Sequence, residues 1–354
     1  MQRRSLLLLS GAAAIALGAA LLIEKPTTAP PAPELGALAF PGLAARLANA
    51  ARIEVRRHDG ALDVVRQGDS WVLPSKHDYP IKQEKLRELL TGLTELRLME
   101  PRTGNPEMLD RLGLEDPMRA GATSTLLRVV DAQGAALAEL VIGRRRVRTQ
   151  GNVPESAYVR RPNENQAWLA EGRIPVDADP QLWLERDIAN LPRERVRRVS
   201  IARAGEAPLV LTHSGDPDGK LGITTPADAP AADDVSLDEV SRSFEFLTFL
   251  DVRRAADAPG EALGESRFEM TDRLSIIAQP RKQGDEIWVM LTAEGDEEAA
   301  RLNARWRGWI YQVGQWKEKA MIPRLEDLRR QEEAPPAAPE APAEGETPSP
   351  AIPR

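Results

Sequence analysis

The sequence contains no cysteine, and both histidine and the aromatic residues are scarce. Without cysteine the chain can form no disulfide bond, thiol nucleophile, cysteine zinc site or lipid-modified cysteine anchor. Its three histidines leave little material for an all-histidine metal centre. Acidic residues outnumber basic residues by 54 to 47, and only 4% of the residues are aromatic. This balance argues against a nucleic-acid-binding function.

Motifs for catalysis and phosphate binding are also missing. The sequence has no P-loop, dinucleotide-binding fingerprint, HExxH zinc motif or GxSxG nucleophile elbow. His77 and Asp78 could belong to a hydrolytic triad, but without an elbow we interpret them as a turn in which Asp78 begins a helix. Asp216–Gly219 resembles the start of a calcium loop but lacks the later acidic ligands. We therefore predict no catalytic, cofactor-binding or metal-binding residue.

Long apolar runs are confined to the N-terminus. Leu6 to Ile23 is uncharged and follows Arg3 and Arg4. As a helix this run would span about 27 Å, close to the thickness of the bilayer core. We predict that residues 1–23 form an uncleaved transmembrane anchor, with a cleaved signal peptide as the alternative. The positive flank favours a cytoplasmic N-terminus, which would place the bulk of a single-pass bacterial inner-membrane protein in the periplasm.

Two further segments have the composition of linkers or tails. Residues 24–50 are rich in alanine and proline, which favours an extended linker. Residues 331–354 contain seven prolines and five glutamates and too little apolar surface to offset the entropy of ordering. We predict a disordered tail there, which leaves 51–330 for folded structure.

The folded region contains an internal repeat, which divides it into 51–190 and 191–330. Each copy begins with alternating strands joined by turns and continues with an amphipathic helix. At an offset of 154 residues, the pairs are Leu86 with Val240, Leu90 with Phe244, Leu93 with Leu247 and Leu96 with Leu250. Later strands pair Thr125–Gly143 with Arg273–Ala293 and Ala157–Ala170 with Trp309–Ile322, at similar offsets. We predict an α+β fold with two tandem repeats, each an antiparallel sheet with one packed helix.

Two clusters of side chains are candidates for binding. Arg144, Arg145, Arg146 and Arg148 form the densest basic cluster and could hold an anionic partner, or could be a solvated strand face. Trp306, Trp309 and Trp316 lie close together late in the chain. They could form a platform for a glycan or a partner, or could be core and hairpin residues.

Several short motifs in the first repeat occur together in a known family. They are Trp71–Leu73, Tyr79-Pro80, Leu112–Pro117, Ile142-Gly143 and Tyr158–Arg160. With them, residues 52–330 resemble a bacterial family of domains of unknown function. Its members are membrane-anchored and are often encoded beside components of gliding-motility-type ABC transporters. The resemblance implies a periplasm-facing accessory subunit of an export system, with an ABC permease or other membrane subunits as partners, and it supplies no catalytic residues.

These observations favour a non-enzymatic function. We expect a membrane-anchored accessory or scaffold subunit of an ABC-type transport system. The alternative is a periplasmic module that binds glycan or lipid in the cleft between the two repeats. A hydrolase that uses Glu115 and Asp116 as acid and base is a third hypothesis, but no other sequence feature indicates a substrate pocket.

Overall fold

The structure, a computed structural model, describes residues 34–146, 155–214 and 220–330. These residues form two compact units. The first comprises the described residues up to Ser75 together with Pro80–Leu184, and the second comprises Lys76–Tyr79 together with the described residues from Glu185 onward. Strands outnumber helices in both units, which confirms the predicted α+β class.

The predicted anchor and tail lie outside the described residues. The same holds for the linker before residue 34. Within the three described ranges, no helix is both long enough and apolar enough to cross a membrane.

The first unit is built on one large antiparallel sheet. Its strands in chain order are β1 (Ala37–Leu38), β2 (Ala50–Arg57), β3 (Gly60–Gln67), β4 (Ser70–Leu73), β5 (Tyr79–Pro80), β6 (Arg97–Pro101), β7 (Thr125–Asp131), β8 (Ala136–Arg146), β9 (Ser156–Arg160) and β10 (Trp168–Glu171). In space they follow the order β1-β6-β10-β9-β8-β7-β2-β3-β4-β5. The two-residue strand β5 spans the division of the chain, because Pro80 belongs to the first unit and Tyr79 to the second. Alternation buries one side of the central strands, as with Leu62 and Val64 in β3. A turn at His58 and Asp59 joins β2 to β3.

In the described part of this unit the α-helices are α1 (Leu43–Arg46), α2 (Gln83–Glu95) and α3 (Leu109–Leu112). In α2, Leu86, Leu89 and Leu93 are buried because they recur on one face of the helix. Gly92 permits close packing, since a Cβ there would lie 2.0 Å from the carbonyl oxygen of Arg173. The prediction that Asp78 begins this helix is wrong.

The second unit has a nine-stranded sheet and a separate strand pair. The strands are β11 (Asp187–Ala189), β12 (Val196–Arg203), β13 (Leu209–His213), β14 (Leu221–Thr225), β15 (Leu247–Thr248), β16 (Asp251–Arg254), β17 (Glu261–Ala262), β18 (Gly264–Met270), β19 (Ser275–Gln283), β20 (Glu286–Glu294) and β21 (Trp309–Val313). The main order is β14-β13-β12-β18-β19-β20-β21-β16, with β17 on β19, and β11 pairs with β15. The α-helices are α4 (Asp234–Ser241), α5 (Glu297–Trp306) and α6 (Lys317–Met321).

The two units share one strand topology, as the internal repeat predicts. The order β4-β3-β2-β7-β8-β9-β10-β6 in the first corresponds to β14-β13-β12-β18-β19-β20-β21-β16 in the second. In both, a helix follows the first three of these strands in the chain. Eight equivalent strands in the same spatial order show that the predicted repeat is present.

The detailed alignment of the repeat is wrong in its second half. By sheet position, β7 and β8 correspond to β18 and β19, whereas the sequence alignment pairs them with β19 and β20. Ala157–Ala170 likewise corresponds to β20 and β21, whereas the predicted partner Trp309–Ile322 contains β21 but not β20. Two differences in connection length cause the misalignment. The first unit has residues 102–124 between β6 and β7, whereas the second has only 255–263 between β16 and β18. The second unit also inserts α5 between β20 and β21, where the first unit has a short loop.

The predicted offset of 154 residues between the helices of the two repeats is also wrong. Buried residues after the third strand match at a separation of 151 residues, not 154. The matched pairs are Leu86 with Leu237, Leu89 with Val240, Leu93 with Phe244 and Leu96 with Leu247. In the predicted register, Leu90 is only partly buried and Leu250 is 50% exposed. The pattern of buried residues therefore supports the offset of 151 residues.

Candidate functional site

The arginine cluster lies at the end of β8. Arg144, Arg145 and Arg146 are all exposed, whereas Arg148 lies outside the described residues. Arg145 donates hydrogen bonds to the carbonyl oxygens of Ile174 (2.7 Å) and Val176 (3.3 Å). Arg145 thus connects the end of β8 to the segment that follows β10 by hydrogen bonds.

The family motif at Leu112–Pro117 forms a tightly packed loop. Gly113 ends α3 in the left-handed region at φ 66°, which glycine adopts without strain. Gly143 of β8 lies so near this turn that a Cβ there would be 2.4 Å from the carbonyl oxygen of Leu112. Arg160 of β9 is buried and donates a 2.8 Å hydrogen bond to the carbonyl oxygen of Leu114. Each of these motif residues has a packing role.

Glu115 and Asp116 have local partners within the same loop. The Glu115 carboxylate accepts hydrogen bonds from the backbone N–H and the hydroxyl of Thr123. Burial by itself would raise the pKa of Glu115, but these hydrogen bonds outweigh it and lower the pKa below its usual range. Asp116 accepts from the backbone N–H of Met118 at 2.9 Å. The two carboxylates therefore act as loop anchors in this geometry.

The segment Lys76–Tyr79 lies in the second unit. His77 and Asp78 both have positive φ, 56° and 61°. Lys76 forms a 2.8 Å ion pair with Asp251, and Arg254 donates a 3.0 Å hydrogen bond to the carbonyl oxygen of His77. These contacts fix a tight turn. Within the described ranges, no group of three or more His, Asp or Glu side chains is placed to hold a metal ion.

The three candidate tryptophans have different environments. Trp306 is 1% exposed and donates a 3.0 Å hydrogen bond to the carbonyl oxygen of Ile188. Trp309 is 8% exposed, with the Arg254 guanidinium 3.9 Å from its ring centroid. Trp316 is 61% exposed. Of the three, only Trp316 presents most of its surface to solvent, so a ligand could contact it without rearrangement.

Trp316 lines an open groove of about 470 Å³ at the start of α6. We call this the Trp316 groove, and its lining residues are Lys282, Gln315, Trp316, Glu318, Lys319, Arg324 and Asp327. The groove combines one indole with cationic donors, anionic acceptors and one uncharged amide. Its volume falls within the roughly 300–1,000 Å³ typical of small-molecule sites.

A buried lysine lies behind the indole. Lys317 is 2% exposed, and its Nζ lies 4.3 Å from the centre of the Trp316 ring. The same atom donates hydrogen bonds to the carbonyl oxygens of Ser243 (2.5 Å) and Arg242 (3.3 Å), just beyond the end of α4. Burial lowers the pKa of Lys317 to about 8. A cation at the C-terminal end of a helix is favourably placed relative to the helix dipole.

Sequence reasoning named Trp316 but missed the residues around it. Lys317, Gly314 and the groove cations show no pattern that stands out among 47 basic residues and 25 glycines. The one available signal is the polar turn Gly314–Lys317 after an alternating strand. Such a turn indicates exposure but not a groove.

The fold and these sites define a two-unit α+β protein whose recognisable motifs pack a loop against a sheet. Comparison with family models matches residues 71–265, more than half of the chain, to a domain of unknown function, DUF4340. The chain belongs to this family. The match runs from β4 of the first unit into β18 of the second, so it includes parts of both repeats. Neither the curated proteins nor the solved structures gave a match.

Proposed function

We propose that this protein is a non-enzymatic accessory or scaffold subunit of an ABC-type transport system. In this proposal, residues 6–23 anchor it in the bacterial inner membrane and both units lie in the periplasm. The observation that carries the proposal is the use of the family motifs. Gly113, Gly143 and Arg160 serve packing and backbone hydrogen bonding. Such motifs suit a structural component, and the resemblance described above associates them with transporter genes.

Co-purification tests the proposed partnership. The full chain, tagged and expressed at native abundance, should recover an ABC permease or ATPase from membranes solubilised in mild detergent. The control carries an unrelated transmembrane segment in place of residues 6–23, so that retention of partners shows recognition by the two units. Repeated recovery of the chain alone would overturn the proposal.

The absence of cysteine allows a clean test of the proposed compartment. Met118→Cys introduces a single thiol at a position that is 62% exposed. Because the rest of the chain has no thiol, a membrane-impermeant maleimide added to spheroplasts should label this variant if the units are periplasmic. Ala320→Cys, at a fully buried position, is the matched control and should be labelled only after denaturation. Labelling of Met118→Cys only after cell lysis would contradict a periplasmic location.

A further inference from the structure

Two neighbours, Gly314 and Lys317, lie against the Trp316 indole although most of it is exposed. A Cβ on Gly314 would lie 2.6 Å from the indole Nε1, so the ring occupies space that only a glycine leaves open. Lys317 lies 4.3 Å from the ring centre and is itself anchored by its hydrogen bond to Ser243. An aromatic ring with restricted movement loses little conformational entropy when a ligand stacks on it.

The charges along the groove are already paired. Lys282 forms a 2.8 Å ion pair with Glu318, and Lys319 forms a 3.3 Å ion pair with Asp327. Arg324 forms ion pairs with Glu206 (3.2 Å) and Glu326 (3.1 Å). A strongly anionic ligand would therefore gain little Coulomb energy here, because each cation has a carboxylate partner.

Paired groups of this kind retain hydrogen-bonding capacity. An ammonium has three donors and a carboxylate has about four acceptor positions, so one ion pair leaves several unused. Gln315 adds an amide with both a donor and an acceptor. A ligand whose groups can donate and accept, and which has an apolar face for the indole, matches this set. Uncharged sugar rings have both properties, since their hydroxyls lie at the edge and their C–H groups on the faces.

We propose that the Trp316 groove is a binding site for neutral saccharides. One ring of the sugar stacks on Trp316, while its hydroxyls form hydrogen bonds with Gln315, Glu318 and Lys319. This site belongs to the second unit alone, and it does not depend on the proposed role in transport.

Fluorine NMR of the full chain tests this directly. The seven tryptophans are replaced by 5-fluorotryptophan, and Trp316→Phe identifies the Trp316 resonance by its disappearance. The protein is kept in a detergent without a sugar headgroup and titrated with neutral tetramers of glucose, mannose and N-acetylglucosamine. An acidic galacturonic acid tetramer and a synthetic peptide of residues 331–354 are titrated separately. We expect at least one neutral tetramer to shift the Trp316 resonance saturably, with a Kd on the order of 1 mM.

Three variants distinguish ring stacking from general surface binding. Trp316→Ala should weaken calorimetric binding of the neutral tetramer by at least about tenfold. Gly314→Ala should move the Trp316 resonance before any sugar is added and should also weaken binding, because the new Cβ displaces the ring. Phe246→Ala removes an aromatic side chain that is 80% exposed in the same unit but does not line the groove, and it should leave the affinity unchanged.

Four results would overturn the proposal. They are no shift with any neutral tetramer, tighter binding of the acidic tetramer, tighter binding of the 331–354 peptide, and unchanged affinity in Trp316→Ala. None of these results bears on whether a transporter subunit co-purifies with the chain, so the two proposals fail independently.

Discussion

Lys317 shows how one buried charge can make the second unit sensitive to pH. Its ammonium is shielded from water, which lowers its pKa to about 8 from the usual 10.5. Between these two values the unfolded chain binds more protons at this site than the folded chain. The free energy of unfolding must therefore rise with pH across this window.

The first prediction isolates this effect with Lys317→Met, which keeps the length of the side chain and removes its charge. In the wild type, Lys317 should add on the order of 2–3 kcal/mol to the free energy of unfolding between pH 8 and 10.5, and the variant should lack this rise. Urea denaturation at a series of pH values measures it. Lys319→Met changes an exposed lysine on the same helix and serves as the control. Parallel pH curves for the wild type and Lys317→Met would contradict the prediction.

A second residue-scale prediction concerns the family motif. Gly143→Ala places a Cβ 2.4 Å from the carbonyl oxygen of Leu112, so either β8 or the loop must move. We expect a loss of about 1–3 kcal/mol in the free energy of unfolding, the usual cost of overpacking. Gly104→Ala, whose Cβ would meet its nearest atom at 3.6 Å, should have a much smaller effect. Urea midpoints that fall equally in both variants would show that close packing at Gly143 is unimportant.

At the scale of elements, burial distinguishes the two possible registers of the helices. Leu89 and Val240 are fully buried and equivalent at a separation of 151 residues, whereas Leu90 is only partly buried. Leu89→Ala should cost about 2–5 kcal/mol in the free energy of unfolding, and Val240→Ala should also destabilise its unit. Leu90→Ala should cost clearly less than Leu89→Ala. Thermal denaturation compares the stabilities of these variants. A larger loss of stability in Leu90→Ala than in Leu89→Ala would support the 154-residue offset instead.

The sequence predicts the elements better than their pairing. Alternation and helical spacing identify the strands, α2 and the repeat, because one buried face leaves a periodic pattern. They do not identify which hairpin of one copy matches which hairpin of the other, since β18, β19 and β20 alternate alike. The short separation of Trp306, Trp309 and Trp316 in sequence could not predict their burial either. Helix α5 and β21 direct two of these rings inward, and only the turn after β21 leaves Trp316 exposed.

At the scale of the whole molecule, the second unit is discontinuous in sequence. Tyr79 makes edge-to-face contacts with Trp309 and Phe249, at centroid distances of 4.8 and 5.3 Å. Lys76 and His77 contact residues that lie 175 and 177 positions further along the chain. A fragment that begins at Glu185 would therefore lack part of the unit's own core.

Tyr79→Ala tests the importance of this segment. The loss of a buried aromatic ring should destabilise the second unit by about 3–5 kcal/mol. Hydrogen exchange measured by mass spectrometry should show faster exchange in β21, whose residues Trp309 and Tyr311 contact the ring. The control is Phe246→Ala, which removes an exposed ring from the same unit. Unchanged protection of β21 in Tyr79→Ala would show that the segment is dispensable.

The placement of Lys76–Tyr79 also constrains biosynthesis. The ribosome synthesises these four residues long before Asp251, Arg254 and Trp309. The segment therefore lacks its final partners until more than 170 further residues have been added. Domains that are continuous in sequence can each fold as they emerge. Here the second unit can finish only after the nascent chain has looped back to an early segment, so slowing translation should not help it to complete its core early.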